Sequence, residues 1–236
     1  MRVKEQFNRY ADCYSSNSII QERGAKILVH ALPKSLGNTI DLGCGNGRIY
    51  RELFQNNNRV EHFYGVDFAE SMLQLHPKGR DIELSVGDFD SQATFEKLQT
   101  VDATTLLSSS ALQWAKDIEF TFNECAKLAP NGGFFLFSSG TFKTLHSVAS
   151  ASSPIYSSAE LEKVFLKNYR AKKIEHYNFK LPFSSTYAML QYIKKSGVSG
   201  NLQLSYRQMK AILNNYPLNY LEFETLLLLG ESRCWQ

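Results

Sequence analysis

A chain of 236 residues, 43% hydrophobic and 21% charged, can bury one good-sized core and is too apolar for wholesale disorder. A formal charge of +3 is too weak to argue for nucleic-acid binding, and no apolar run reaches the roughly 18 residues of a membrane span. The four cysteines and five histidines offer neither a Cys-x-x-Cys pair nor metal-ligand spacing, which argues against a disulfide framework, a zinc knuckle or any metal.

Met1 to Gln6 lacks the apolar core of a secretory signal, so a cytoplasmic protein is expected. The first 30 residues, with Phe7, Tyr10, Tyr14, Ile19, Ile20, Ile27 and Leu28, read as amphipathic helix. They precede the first strand and form a lid against the sheet or over its crevice. From Leu36 to Gly140 short β-like runs alternate with helix-length stretches, the rhythm of a parallel α/β sheet. The runs are Asn38–Leu42, His62–Val66, Ile82–Val86, Val101–Leu107 and Gly133–Ser138. Ala69–Leu75 and Ile118–Leu128 carry apolar residues at helical spacing. Pro130-Asn131-Gly132-Gly133 reads as a turn before the fifth strand.

After Gly140 the rhythm changes. Thr141 to Ser158 reads as a helix start and a loop around Pro154. A helix (Ser158–Leu166), a strand (Lys172–Leu181), two helical pieces (Tyr187–Lys195, Ser205–Asn214) and a last strand (Tyr220–Leu229) complete one domain. Residues 184–215 form a helical cap inserted between the last two strands.

The chemistry concentrates at Asp41-Leu42-Gly43-Cys44-Gly45-Asn46-Gly47, a strand running into a glycine turn and a helix. Without Cβ atoms Gly43, Gly45 and Gly47 let the backbone approach a ligand, and the helix presents its positive end. Cys44 fits there because it is small. Such a loop also occurs as a plain structural turn. Asp67, ending the second strand, suits the two hydroxyls of a ribose. Asp88 follows the third strand and suits an adenine amino group, with Phe89 stacking on the base. A nicotinamide dinucleotide is the rival ligand, but its fingerprint needs a third glycine where Arg48 stands.

The match at Asp41–Gly47 together with Val66-Asp67-Phe68-Ala69-Glu70-Ser71-Met72-Leu73 resembles motif I and its sequel in class I S-adenosylmethionine methyltransferases. Ala111-Leu112-Gln113-Trp114, Phe7-Asn8-Arg9-Tyr10-Ala11-x-x-Tyr14, Gln21, Phe137–His146 and Tyr187–Val198 resemble the malonyl-[acyl-carrier protein] O-methyltransferases of biotin synthesis. The chain departs from that pattern at Ser15, where an aspartate is usual, at Val198, which replaces alanine, and in a short segment between His146 and Ser158.

The resemblance implies a Rossmann-like α/β fold with a seven-stranded, mostly parallel sheet, the last strand antiparallel, and helices on both faces. It implies S-adenosylmethionine as cofactor, S-adenosylhomocysteine as product, and Phe68, Met72 and Ser108 as further cofactor contacts. Gln113 and Trp114 would shape the wall beside the sulfonium. Tyr14 either closes over the methyl donor or is a packed aromatic, and His146 is a surface or capping residue unless it has a role at the site. The acceptor would be the carboxylate of malonyl-acyl carrier protein, or malonyl-coenzyme A, on a monomeric enzyme. Lys143, Lys194, Lys195, Arg207 and Lys210 could dock an acidic carrier, or simply form a solvated face. A carboxylate is ionised at pH 7, so no general base is needed. Two alternatives stay open: a small-molecule carboxyl methyltransferase and a non-catalytic subunit of the same fold.

Overall fold

The central strands are apolar on both faces, so helices must cover the sheet from both sides. The computed structural model describes residues 18–196 and 204–235. Seven strands form one sheet: β1 Ser35–Leu42, β2 Arg59–Asp67, β3 Ile82–Val86, β4 Thr105–Ser109, β5 Asn131–Phe137, β6 Tyr169–Pro182 and β7 Tyr220–Ser232. Their order is β3-β2-β1-β4-β5-β7-β6. Every pairing is parallel except those of β7, which runs antiparallel to both β5 and β6. The order reverses between β1 and β4, and a crevice opens beyond the carboxyl ends of strands at such a point.

Nine α-helices lie among the described residues: α1 Ile19–Ala31, α2 Arg48–Gln55, α3 Glu70–Gln74, α4 Gln92–Leu98, α5 Ile118–Leu128, α6 Lys143–Val148, α7 Ser158–Asn168, α8 Thr186–Ser196 and α9 Tyr206–Asn215. None is long and apolar enough to cross a membrane. One face of the sheet packs Phe95, Phe122, Cys125 and Phe165 of α4, α5 and α7 against Ile40, Leu106, Phe134 and Leu228. The other packs Ala25, Leu28, Ile49 and Leu53 of α1 and α2 against Phe63, Leu107, Phe135 and Leu227. A Cβ on Gly24 would lie 2.3 Å from the Phe135 ring, so glycine is what lets α1 lie this close to the sheet.

Helices α8 and α9, the segment expected to form a cap, lie between β6 and β7 in the chain. Met189, Tyr192, Ile193 and Ile212 form a separate core with Phe142 and Leu145 of the α6 region and with Leu221 and Phe223 of β7. Ser205 and Gln208 make a reciprocal capping box at the start of α9, and Gln208 Nε2 donates to the Ala149 carbonyl at 3.0 Å. A second capping box, Ser157 with Glu160, starts α7.

Two expectations change. Val101–Ala103 is a tight turn, with the Ala103 N–H on the Val101 carbonyl, so β4 starts only at Thr105. Helix α4 carries no signal strong enough to be singled out in the sequence. Asn131, Gly132 and Gly133 belong to β5, leaving only Pro130 outside it. Their glycines serve packing: a Cβ on Gly132 would sit 2.5 Å from the buried Tyr169 ring. The lid helix is described from Ile19 onward; Phe7, Tyr10 and Tyr14 lie outside the described residues.

Gly132→Ala therefore overpacks the sheet and should cost about 1–3 kcal/mol. Urea unfolding checks this by a lower midpoint at unchanged slope; an unchanged midpoint would refute the packing role.

Candidate active site

The glycine loop is held by the second strand. Gly43 and Cys44 both donate their N–H to the Val66 carbonyl, at 2.8 and 3.0 Å. Asp67 continues the grip: one carboxylate oxygen accepts the Gly45 N–H at 2.8 Å and the other accepts the Ala69 N–H at 2.8 Å. Gly43, at φ +80, faces Ala111, whose Cβ would be 2.3 Å from a Cβ at this position. Gly47, at φ +83, is a packing glycine, because a Cβ there would meet His76 and Pro77 at 2.6 Å.

The loop forms one wall of a cleft of about 710 Å³ including its open mouth, within the range of small-molecule sites. The end of β1 supplies Asp41, β2 and α3 supply Asp67, Phe68 and Met72, and the segment after β4 supplies Ser109, Ser110, Ala111 and Trp114. Gln21 and Ala25 of α1 close it from the lid side, and Arg48 and Ile49 of α2 from below the loop. Arg48 donates to the carbonyl and hydroxyl of Ser18, joining the start of α2 to the start of α1.

Asp41 is the electrostatic anomaly of the cleft. It is 1% exposed and neither carboxylate oxygen has a hydrogen-bond partner among the described residues. Burial pushes its pKa well above the usual carboxylate range, and the neighbouring Asp67 charge adds to the shift. Burial also raises Asp67, but the backbone N–H groups of Ala69, Gly45 and Phe68 pull against it. The Cys44 thiol is pushed well up by burial and by Asp41, which leaves it a small apolar filler.

Of the residues expected from sequence, the structure gathers Asp41, Gly43, Cys44, Gly45, Asp67, Phe68, Met72, Phe89 and Trp114 around one cleft. Four stand elsewhere. Gly47 supports the loop from behind. Asp88 is exposed, and its carboxylate accepts the Asp90 N–H at 2.9 Å in a local turn. Ser108 is fully buried and donates to the Leu42 carbonyl at 2.6 Å, tying β4 to β1; Ser109 and Ser110 occupy the wall instead. Gln113 is buried beside Trp114 in a turn of 3-10 helix but does not line the cleft. His146 is no surface residue either: it is buried in α6, and burial lowers its pKa. The lining residues missed in the sequence are Gln21, Ala25, Arg48, Ile49, Asn46, Ser109, Ser110 and Ala111. Of these, Gln21 and Ala111 stood within family-like segments, Asn46 within the glycine motif and Arg48 just after it, and Ser109 and Ser110 directly follow Ser108; Ala25 and Ile49 have no sequence signal of their own.

A glycine loop at the switch point of a sheet with a reversed seventh strand defines a class of enzyme. Residues 40–137, from β1 through β5, match the family described as methyltransferase domain. The chain has the fold of the class I S-adenosylmethionine-dependent methyltransferases, and the part of it that carries the cleft is similar to their methyltransferase domain. Over nearly its full length it is a relative of proteins named malonyl-[acyl-carrier protein] O-methyltransferase. It is 25% identical to the one from Acinetobacter baylyi, covering 94% of this chain and 89% of that protein. Among solved structures, a chain from the complex of the Haloferax volcanii Trm112 methyltransferase activator with a methyltransferase shares the fold at TM-score 0.63 and 19% identity, covering 98% of this chain and 97% of that one. Geranyl diphosphate C-methyltransferase from Streptomyces coelicolor, solved with S-adenosylhomocysteine, shares it at TM-score 0.54 and 12% identity, covering 88% of this chain and 76% of that one.

The stranded carboxyl of Asp41 has a measurable consequence for the ligand-free protein. Its folded pKa lies above the ordinary value of 3.8, so the folded state holds the proton where the unfolded state has lost it. Stability then falls as pH rises from about 4 through the folded pKa. Asp41→Asn removes this dependence and should raise the ligand-free Tm at pH 8 by about 2–4 °C for each kcal/mol of penalty relieved. Thermal unfolding at pH 5 and pH 8 checks it; a variant less stable than wild type at pH 8 would contradict it.

Proposed function

We propose that the protein transfers the methyl group of S-adenosylmethionine to the free carboxylate of malonyl-acyl carrier protein, giving the methyl ester in an early step of biotin synthesis. The observation that carries this reading is the similarity over 94% of the chain to a relative named for that reaction. The cleft is compatible with the cofactor. A buried carboxylate without a partner is costly unless a ligand supplies one, and Asp41 suits the cofactor's ammonium group. Beyond the backbone N–H groups it accepts, the Asp67 carboxylate keeps lone-pair capacity for a ribose hydroxyl. Phe68, Met72 and Phe89 would flank the adenine, and Trp114 would stand on the side of the sulfonium.

S-adenosylmethionine supplies a methyl group already activated by its attachment to a sulfonium. The acceptor carboxylate is ionised at neutral pH and needs no base to make it a nucleophile. The protein's task is then alignment and the exclusion of water from the cleft. Tyr14 remains a candidate for closing over this site from the N-terminal segment.

An acidic carrier is favoured by the charge of the cap. From His176 to Leu221 the chain carries five Lys or Arg and no Asp or Glu. Lys194, Arg207 and Lys210 are exposed there, whereas Lys143 on α6 faces Glu222 at 3.8 Å. Such a surface speeds encounter with an acidic protein more than it tightens the complex.

Labelled methyl donor should yield methyl ester on malonyl-acyl carrier protein with a higher kcat/KM than on malonyl-coenzyme A. Methylation of only some other small acid would replace the proposed acceptor, and failure to bind S-adenosylhomocysteine would point to a non-catalytic subunit. Asp41→Asn should weaken S-adenosylhomocysteine binding by at least about 30-fold, measured by calorimetry. Unchanged affinity would remove Asp41 from the cofactor site.

A further inference from the structure

Two hydroxyl groups in the cleft have no hydrogen-bond partner among the described residues. Ser109 and Ser110 follow one another on the wall next to Trp114, and each side-chain oxygen is buried without a hydrogen bond. Their neighbour Ser108 differs, since its hydroxyl is taken by the Leu42 carbonyl. Buried hydroxyls are almost always satisfied. Two adjacent ones left open in a ligand cleft are donors for something that binds there.

The backbone holds them in place. The Ser110 N–H donates to the Phe135 carbonyl at 2.7 Å, and Ser110 then turns at φ +61. That left-handed region is uncommon for a residue with a side chain and clusters at functional sites. The turn lays Ala111 against Gly43. Asp41 pairs with Leu107 across β1 and β4, and Ser109 ends β4 two residues beyond that pair. The hydroxyls thus sit at the carboxyl end of β4, on the sheet edge where the glycine loop and Asp41 meet.

We infer that Ser109 and Ser110 form the binding site for the carboxylate of the methyl acceptor. The inference rests on the carboxylate acceptor proposed above and assigns the residues that hold it. Their hydroxyls donate to the oxygen that does not react, which leaves a lone pair of the other oxygen free to meet the methyl carbon. The acceptor oxygen forms the new C–O bond, and the electron pair of the broken C–S bond stays on sulfur. The negative charge of the acid and the positive charge of the sulfonium vanish together. No proton moves, and both serines keep theirs.

Neutral donors suit this task better than a cation. A guanidinium or ammonium would pair with the charge that the reaction must consume, whereas a hydroxyl orients the acid and leaves it nucleophilic. The cleft does contain a cation, Arg48, which can serve the carboxylate of the cofactor itself. Hydrogen bonds to an ionised acceptor are roughly twice as strong as neutral ones. The ester product is therefore held less firmly than the acid, which favours its release.

The test uses Ser109→Ala, Ser110→Gly and the double variant. Glycine at 110 removes the hydroxyl yet keeps the left-handed turn. The double variant should raise KM for malonyl-acyl carrier protein roughly 10- to 100-fold, with S-adenosylhomocysteine affinity by calorimetry staying within about twofold of wild type on the same scale. Ser109→Thr, which restores a hydroxyl, should recover most of the KM. A parallel loss of S-adenosylhomocysteine affinity would assign the hydroxyls to the cofactor and overturn the inference, as would an unchanged KM. If the wild type methylates a different carboxylic acid, the malonyl assignment falls and the serine pair is judged on the KM for that acid. A wild type inactive on every carboxylate, while still binding S-adenosylhomocysteine, overturns both.

Discussion

The structure around the cleft depends on one shared acceptor, the Val66 carbonyl that takes the N–H groups of both Gly43 and Cys44. That contact, continued by Asp67 on the Gly45 N–H, folds the β1 loop over the end of β2. The loop is thereby tied to β2, and it and the Ser109–Trp114 segment form walls of the cleft at the switch point. Asp67 is therefore a structural anchor before any ligand arrives. The backbone N–H groups of Ala69, Gly45 and Phe68 also keep its pKa lower than burial alone would set it.

Asp41 is the counterpart of that arrangement. It stands on the adjacent strand, also buried, but with no donor for either oxygen among the described residues. Two buried carboxylates close together disfavour each other's charge, and the one without hydrogen bonds bears the larger cost. A protein stabilised by tens of interactions can carry one such defect if a ligand with positive charge relieves it. Binding free energy and the fold's local instability are then two sides of the same interaction.

The remaining walls come from elements distant in sequence. Helix α1 reaches the cleft because Gly24 allows it to lie against Phe135, and Arg48 fastens its start to α2 through Ser18. The cap builds a core of its own on β7 and α6. Lys194, Arg207 and Lys210 are carried on helices held by that core, which also takes in Ile20 of α1, next to the cleft-lining Gln21.

The sequence by itself was enough for the sheet, the loop and the acids that end β1 and β2. Alternating apolar runs, a glycine turn and strand-end aspartates are local patterns, each set by the period of the chain or by backbone sterics. The strand limits near Val101 and Pro130 were not legible, because Tyr169, which lies far along the chain, decides that Gly132 is a packing position in a strand. The same holds for the site. Ser108, Ser109 and Ser110 are identical letters, and only the register between β4 and β1 decides which hydroxyl meets the Leu42 carbonyl and which two face the cleft. Asp88 and Asp67 each follow a strand, yet one turns outward into a local hydrogen bond and the other inward under the glycine loop. Residue type and spacing determined what chemistry was on hand; strand register and the close approach of helices decided which groups were left unpaired for a ligand.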